Sequence, residues 1–254
     1  MSQLDGKVSI ITGGASGIGR ATAKLFADLG AAVLVADLDK AGGETTVDAI
    51  EDDGGTATFV PADVSDAEDV EAMVATAVDR YGGLDVLFNN AGIDGQVARI
   101  VSSEEETYDR VVDVNLKGVW LGTKHGVRAM LEDGGGAIVN TSSIAGVVGM
   151  RGFSAYAAAK GGVRLLTKTT ALEYAVDDIR VNAIAPGPVR TPMVERAMED
   201  EEAKRRFRSM EPMEGLAEPA EVAAAVAFLA SEDASRITGT TLPVDGGYLA
   251  GRTS

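Results

Sequence analysis

The sequence predicts an α/β fold, a doubly wound parallel sheet of about seven strands with helices on both faces. The first observation is that short apolar runs alternate with longer segments of helical periodicity along the whole chain. The second is that the apolar runs are nearly continuous, as in Ala32–Val35. A continuous apolar strand is typical of burial on both faces of a sheet. Right-handed crossovers between such strands give the doubly wound arrangement.

The predicted elements follow one another without an intervening linker or repeat, so we expect a single domain over residues 1–254. The predicted strands are Lys7–Ile11, Ala32–Ala36, Thr56–Val60, Leu84–Phe88, Ala137–Asn140, Arg180–Ile184 and Thr240–Val244. The predicted helices are Arg20–Leu29, Lys40–Asp52, Ala67–Tyr81, Glu104–Leu131, Ser154–Val176 and Pro219–Ala230. Proline near the start of the last helix is at a favoured position.

The composition excludes several kinds of chemistry. The chain has no cysteine, which excludes a disulfide scaffold, thiolate catalysis and cysteine-ligated metals. It has a single histidine, so neither a histidine-rich metal site nor a Ser-His-Asp triad is expected. We expect His125 to be a structural or surface residue, and we expect no metal site. Acid–base chemistry near neutral pH must therefore use another side chain.

The charge of the chain argues against polyanionic partners. Lys and Arg number 23 against 39 Asp and Glu, a formal net charge of −16. Such a chain repels nucleic acid and anionic lipid. No apolar run approaches the roughly 20 residues needed to span a bilayer, and the first residues lack a basic, apolar signal segment. We therefore expect a cytoplasmic protein. The acid excess has two interpretations, a surface that keeps the protein in solution or an adaptation to high salt.

A glycine-rich turn lies between the first predicted strand and the first predicted helix. It reads Thr12-Gly13-Gly14-Ala15-Ser16-Gly17-Ile18-Gly19. Such a turn directs backbone N–H groups and a helix N-terminus toward a phosphate. Gly13 would permit the tight turn, Gly17 the approach of a pyrophosphate, and Gly19 the close packing of helix against strand. The alternative is a turn with a structural role alone.

An acidic residue, Asp37, ends the second predicted strand. A carboxylate at this place can accept hydrogen bonds from both ribose hydroxyls of an adenosine and repels a 2′-phosphate. The glycine loop contains no Arg or Lys, and Leu38 follows Asp37, so no cation is expected to hold a 2′-phosphate. The sequence therefore favours NAD over NADP, with a simple turn residue as the alternative reading of Asp37.

Tyr156 and Lys160 are four residues apart on a predicted helix and therefore share one face. An isolated tyrosine is a poor base at neutral pH, because its pKa is about 10. An ammonium group one turn away stabilises the phenolate and should lower that pKa. The pair can supply the acid–base group that histidine does not.

The order of these motifs resembles that of the short-chain dehydrogenase/reductase family. The loop spacing Gly-x-x-x-Gly-x-Gly is similar to that of its cofactor loop, and Tyr156-x-x-x-Lys160 matches its Tyr-x-x-x-Lys motif. The resemblance covers nearly the whole chain. Its further segments are Asp63-Val64, Asn89-Asn90-Ala91-Gly92, Asn115, Ser142-Ser143, Pro186–Thr191 and Asp245-Gly246-Gly247.

The resemblance implies a Rossmann-like fold, an NAD(H) cofactor and a set of site residues. The implied catalytic residues are Asn115, which orders a water, Ser143, which holds the substrate oxygen, Tyr156, the acid–base, and Lys160, which also binds the ribose. The residues themselves do not distinguish Ser143 from its neighbour Ser142. The implied cofactor-binding residues are Gly13, Ser16, Gly17, Ile18, Gly19, Asp37, Asp63, Val64, Asn90, Tyr156, Lys160, Pro186, Val189 and Thr191.

The resemblance also implies a homotetramer that pairs its two longest helices, and a substrate-covering lid over residues 191–214. We expect a pocket lined by Ile93–Gln96, by Ile144–Phe153 and by this lid, with an apolar wall. The predicted activity is hydride transfer between nicotinamide and a small secondary alcohol or ketone, cyclic or aliphatic. The alternatives are a 3-oxoacyl-thioester (acyl-carrier-protein) reductase and a protein that senses NAD(H) without catalysis.

Overall fold

The computed structural model describes residues 3–198, 201, 205, 212–213 and 215–251. Within them, seven strands form one sheet. The strands are β1 (Val8–Thr12), β2 (Ala32–Asp37), β3 (Thr56–Pro61), β4 (Val86–Asn89), β5 (Gly136–Thr141), β6 (Ile179–Pro186) and β7 (Thr241–Val244). The α-helices are α1 (Gly17–Asp28), α2 (Lys40–Asp52), α3 (Ala67–Tyr81), α4 (Glu105–Val112), α5 (Gly118–Asp133), α6 (Ser154–Tyr174), α7 (Pro192–Ala197) and α8 (Pro219–Ala230).

All neighbouring strands in the sheet are parallel, and their order is β3-β2-β1-β4-β5-β6-β7. The order reverses next to β1, which pairs with β2 on one side and with β4 on the other. A ligand crevice forms at such a reversal, beyond the carboxyl ends of the strands. The predicted doubly wound parallel sheet is confirmed.

Two hydrophobic cores lie on opposite faces of the sheet. Val33 and Val35 of β2 belong to the core that contains Phe26 of α1, whereas Leu34 belongs to the core that contains Met73 of α3. Successive strand residues therefore face different helical layers. This explains the continuous apolar runs, because every position of a central strand is buried.

The single helix predicted over Glu104–Leu131 is wrong in its middle. Between α4 and α5 the residues Asp113–Lys117 form a π-helical segment. The Asn115 side chain donates a hydrogen bond to the backbone oxygen of Val111 at 3.0 Å, the acceptor that its own N–H would use in an α-helix. Such insertions are frequent at functional sites.

Smaller differences occur at element ends. The first helix begins at Gly17, not at Arg20, because the glycine turn leads directly into it. Among the described residues, no helix combines the length and apolar character that crossing a bilayer requires.

Candidate active site

The turn between β1 and α1 is shaped by glycines, and a larger residue at these positions would displace the neighbouring backbone. Gly13 has a φ of 66°, and a Cβ there would lie 2.9 Å from the Cα of Ala91. A Cβ on Gly19 would lie 2.0 Å from the backbone oxygen of Gly13. The chain therefore turns tightly and packs closely below the turn, which leaves its upper side free to receive a ligand.

Ser16 is the N-cap residue of α1, but its side chain makes no capping hydrogen bond. A Cβ on Gly17, whose φ is 51°, would lie 3.0 Å from the side chain of Thr191. The helix N-terminus thus faces the loop after β6 across a narrow gap. The Ser16 hydroxyl, which makes no hydrogen bond within the described part of the chain, and the N–H groups of the first helical turn fit the phosphates of a dinucleotide.

The Asp37 carboxylate accepts hydrogen bonds from the protein backbone and also lines the crevice at the carboxyl ends of the strands. Its Oδ2 accepts a hydrogen bond from the Ala15 N–H at 3.0 Å, and its Oδ1 accepts one from the Asp39 N–H at 2.9 Å. Each carboxylate oxygen retains a further lone pair, which fits a ribose hydroxyl. Arg20 donates to the backbone oxygens of Ala15 and Gly42. Its guanidinium is therefore committed to the protein backbone.

The carboxyl ends of β1 and β4 are joined by one hydroxyl. Thr12 Oγ1 accepts hydrogen bonds from the N–H groups of Asn90 and Ala91, at 2.8 and 3.1 Å. The Asn90 side chain donates to the Thr12 backbone oxygen at 3.0 Å. These bonds fix Asn90 beside the glycine turn, at the reversal of strand order.

One cavity of about 690 Å³ runs along this edge of the sheet. The structure places all but one of the residues implied by the family resemblance on its wall. Those residues are Gly13, Ser16, Gly17, Ile18, Asp37, Asp63, Val64, Asn90, Asn115, Ser143, Tyr156, Lys160, Pro186, Val189 and Thr191. The exception is Gly19, which lies beneath the turn against the Gly13 carbonyl.

Tyr156 and Lys160 lie on the same face of α6, at the cavity wall. The Lys160 side chain is buried, its Nζ donates to the Thr141 backbone oxygen at 2.8 Å, and it lies 5.7 Å from the centre of the Tyr156 ring. The Phe153 ring approaches Tyr156 edge-on, with 6.4 Å between ring centroids. The phenol is thus held between an amine and an aromatic edge.

The electrostatics of this pair differ from the sequence-based expectation. Burial lowers the pKa of Lys160 to about 7, so near neutral pH the amine carries only part of a positive charge. Burial raises the pKa of Tyr156, the neighbouring Ser143 hydroxyl lowers it, and the negative charge of Asp94 raises it. The expectation that the Tyr156 pKa lies below its usual value is wrong for the protein by itself, because burial is the largest effect on it and raises it.

The structure shows that the two adjacent serines, Ser142 and Ser143, have different hydrogen-bond partners. Ser142 is buried and donates a hydrogen bond to the Lys160 backbone oxygen at 2.9 Å, which ties the end of β5 to α6. Ser143 Oγ accepts from the Ala145 N–H at 3.1 Å, which leaves its own proton available. The hydroxyl that can donate toward the cavity beside Tyr156 is therefore that of Ser143.

Asn115 is fully buried in the π-helical segment. Its amide donates to the Ile93 backbone oxygen at 2.8 Å, and its Oδ1 accepts from the Ile93 N–H at 3.3 Å. A Cβ on Gly92 would lie 2.6 Å from this Oδ1 and 3.4 Å from Lys160 Nζ. The three residues therefore converge on one region of the cavity wall, and the side chain of Asn115 fixes the loop after β4.

Sequence reasoning missed three charged residues on the cavity wall, Arg110, Asp113 and Arg196. The first two lie within about a turn and a half of Asn115 on the same helical stretch, a spacing that could have marked them. Arg196 lies on α7, which begins the predicted lid. Ile93 and Met193 line the cavity as expected, but the predicted lining by Asp94–Gln96 and by Ile144–Phe153 is wrong, because these described residues are not part of the cavity wall. Residues 199–200, 202–204, 206–211 and 214 of the predicted lid are outside the described part of the chain.

Comparisons with known proteins agree with this arrangement. A family model, adh_short_C2, described as Enoyl-(Acyl carrier protein) reductase, matches residues 13–249. Cyclohexanol dehydrogenase from Acinetobacter sp. (strain SE19) is 44% identical over 98% of this chain and 97% of that protein. Cis-4-hydroxycyclohexanecarboxylate dehydrogenase from Sinomonas cyclohexanicum is 46% identical over 96% and 97%.

A relative named for a different substrate class is nearly as similar. The 3-oxoacyl-[acyl-carrier-protein] reductase FabG of Thermotoga maritima is 43% identical over 97% of this chain and 99% of its own length. The crystal structure of levodione reductase superposes with a TM-score of 0.95 and 41% identity, covering 98% of this chain and all of the other. The chain therefore belongs to the short-chain dehydrogenase/reductase family, whose dehydrogenases use a nicotinamide cofactor.

Proposed function

We propose that this protein is an NAD(H)-dependent oxidoreductase that interconverts a cyclic secondary alcohol and the corresponding ketone. The observation that carries the proposal is that one and the same cavity has Asp37 and the glycine turn in its wall together with Ser143, Tyr156 and Lys160. Relatives named for cyclohexanol and hydroxycyclohexanecarboxylate support the cyclic class of substrate.

In this proposal the protein moves the proton and the cofactor carries the hydride. A nicotinamide held at the cofactor end would supply the hydride chemistry, as acceptor for alcohol oxidation and as donor for ketone reduction. The Ser143 hydroxyl donates a hydrogen bond to the substrate oxygen. The Tyr156 oxygen takes the hydroxyl proton of the alcohol during oxidation and gives it back to the carbonyl oxygen during reduction.

Lys160 has two roles in the proposal. Its amine stabilises the Tyr156 phenolate and donates a hydrogen bond to a ribose hydroxyl. Its hydrogen bond to Thr141 keeps the amine at the carboxyl end of β5. We assign to Asn115 the ordering of a water beside Lys160, through which the proton reaches solvent. The convergence of Asn115, Gly92 and Lys160 supports this assignment.

The choice of NAD over NADP rests on Asp37. A 2′-phosphate beside this carboxylate would meet like charge, which costs several kcal/mol at a desolvated contact. Arg20, which lies close to the turn, already donates to backbone oxygens and to Thr46. The neighbours of Asp37 on the cavity wall, Ala36 and Leu38, carry no positive charge that could hold the phosphate.

The second candidate function is 3-oxoacyl-thioester reduction, which the FabG relative favours. The discriminating experiment compares NADH oxidation with cyclohexanone and with a 3-oxoacyl thioester under the same conditions. We expect the higher kcat/KM with the cyclic ketone. A higher value with the thioester would replace the first candidate by the second. Absence of turnover with both, together with tight NADH binding, would indicate a sensor without catalysis.

The proposal includes a lid over residues 191–214, a cytoplasmic location and a homotetramer.

Apolar residues on α6 and just beyond it support the tetramer, because Leu165, Leu172 and Val176 are 67%, 83% and 87% exposed in the isolated chain. Exposed apolar surface of this kind is typical of an interface, and closed two-fold assemblies are the commonest oligomers. Light scattering should report four chains per particle, and a particle of one chain would refute the tetramer.

A further inference from the structure

Arg196 is a positively charged residue of the cavity wall that the chemistry above does not use. It lies on α7, and its side chain is exposed. It forms no ion pair or hydrogen bond with any residue in the described part of the chain. Its guanidinium is therefore available to a ligand that enters the cavity.

The cavity wall differs in charge from the rest of the chain. The whole chain has 39 acidic residues against 23 basic ones. Within the described residues, the wall instead has equal numbers of the two kinds, namely Asp37, Asp63 and Asp113 against Arg110, Lys160 and Arg196. A cavity that concentrates cations in an acidic protein is suited to an anionic ligand.

The start of α7 lies against the glycine turn. A Cβ on Gly17 would lie 3.0 Å from the side chain of Thr191 and 3.9 Å from the Cδ of Pro192. Arg196 follows Pro192 by four residues and therefore shares its face of the helix. The two positions are about 6 Å apart along the helix axis, a distance that an arginine side chain can span. The guanidinium can therefore return to the gap between α7 and the glycine turn.

The glycine turn itself supplies no full positive charge. Residues 12–19 contain neither Arg nor Lys, and the guanidinium of Arg20 already donates to the backbone oxygens of Ala15 and Gly42. The N-terminus of α1 offers only partial positive charge. A pyrophosphate carries two negative charges, so a cation that faces it from the other side of the gap would complete the site.

We propose that Arg196 binds the pyrophosphate of the nicotinamide cofactor, across the gap from the N-terminus of α1. The planar guanidinium donates paired hydrogen bonds to phosphate oxygens, a geometry that arginine provides and lysine does not. Through this contact α7, which also carries Met193 of the cavity wall, is held against the glycine turn when the cofactor is bound. The inference rests on the proposed function, because it requires a dinucleotide in the cavity.

The test measures binding, with no turnover required. The dissociation constant of NADH is obtained by fluorescence titration, and ADP-ribose and adenosine are then measured by displacement of NADH. ADP-ribose contains the pyrophosphate but no nicotinamide, and adenosine contains neither. The variants are Arg196→Gln, which removes the charge, and Arg196→Lys, which keeps the charge without the planar group.

Arg236→Gln is the matched control for the loss of one positive charge. Arg236 is exposed and lines a separate cavity, which also has Lys7 and Gly136 in its wall. Lys7 precedes β1 and Gly136 begins β5, so this cavity lies at the amino ends of the strands, away from the glycine turn. We expect this variant to bind all three ligands as the wild type does.

We expect Arg196→Gln to weaken the binding of NADH and of ADP-ribose by about tenfold, the effect of losing one charge-assisted contact. Adenosine should bind as before, and Arg196→Lys should retain part of the affinity. Unchanged binding of NADH and ADP-ribose in Arg196→Gln would overturn the inference, and so would an equal loss for adenosine.

An anionic substrate is the other ligand that this arginine could hold. A lower kcat/KM for a hydroxycyclohexanecarboxylate relative to cyclohexanol in Arg196→Gln, with NADH binding unchanged, would assign Arg196 to a substrate carboxylate and overturn the inference alone. If the wild type binds no NADH, the proposed function fails, and the inference fails with it.

Discussion

The two ends of the cavity are built in different ways. At the cofactor end, Asp37 and Thr12 hold the glycine turn through backbone N–H groups, and the glycines leave no room for side chains. At the other end, the wall combines the loop after β4, at Ile93, with helical residues such as Asn115 and Met193. The difference teaches that the cofactor end is built from backbone at the ends of strands, whereas the other end is built from side chains of loops and helices, the segments in which related proteins vary most.

Tyr156→Phe should have the largest effect, because it removes the transferable proton from the centre of the site. We expect kcat to fall by about a hundredfold or more, the usual value of general acid–base catalysis. NADH affinity, measured by fluorescence titration, should stay nearly unchanged, because the cofactor end is intact. Tyr108→Phe, at an exposed tyrosine of α4, is the control. A Tyr156→Phe protein that keeps more than about a tenth of the rate would contradict the role of Tyr156.

Gly19→Ala should damage the cofactor end and spare the substrate loops. The new Cβ would lie 2.0 Å from the Gly13 oxygen, so the turn must move. Overpacking of this kind costs about 1–3 kcal/mol, and we expect a lower Tm and weaker NADH binding. Gly149→Ala is the matched control, because a Cβ there meets nothing within 4 Å. Equal losses of Tm in the two variants would show that the turn is not tightly packed.

The two ends of the cavity also differ in how much of them could be predicted from the sequence. The parallel sheet and the residues at the ends of its strands were predictable, because burial on both faces and the glycine turn leave local patterns. The π-helical segment was not predictable, because the Asn115 amide that takes the Val111 carbonyl is also held by Ile93, which is 22 positions away. The different roles of Ser142 and Ser143 were hidden for the same reason, since Ser142 is bonded to the backbone of Lys160.

The pH dependence of the rate can sharpen the role of the substrate end. Ketone reduction needs the protonated Tyr156, so its rate falls as the pH rises through the Tyr156 pKa, and alcohol oxidation shows the opposite trend. The Asp94 charge raises this pKa, while Lys160 and Ser143 are the other polar groups beside the phenol. Asp94→Asn should therefore move both transitions to lower pH. Unchanged profiles in both directions would mean that Asp94 does not act on Tyr156.

The salt concentration should distinguish the two ends of the cavity least, because the acidic clusters lie on the outer surface of the protein. Glu104–Glu106 and Glu51–Asp53 are exposed, at the start of α4 and the end of α2. The Debye length falls from about 30 Å at 0.01 M salt to about 3 Å at 1 M. If the net charge of −16 is an adaptation to salt, Tm and activity should rise with KCl. A flat or falling Tm would favour the interpretation of a surface that only keeps the protein in solution.

The most direct test of the account is the comparison of kcat/KM for NAD⁺ and NADP⁺ with cyclohexanol as substrate. We expect NAD⁺ to be preferred on the order of a hundredfold or more, because Asp37 would face the 2′-phosphate. Asp37→Ser should narrow this ratio, although loss of the bond to Ala15 should also weaken the binding of both cofactors. The exposed variant Asp48→Asn should leave the ratio unchanged. Equal kcat/KM for the two cofactors in the wild type would contradict the assignment of Asp37, and absence of turnover with either would contradict the dehydrogenase itself.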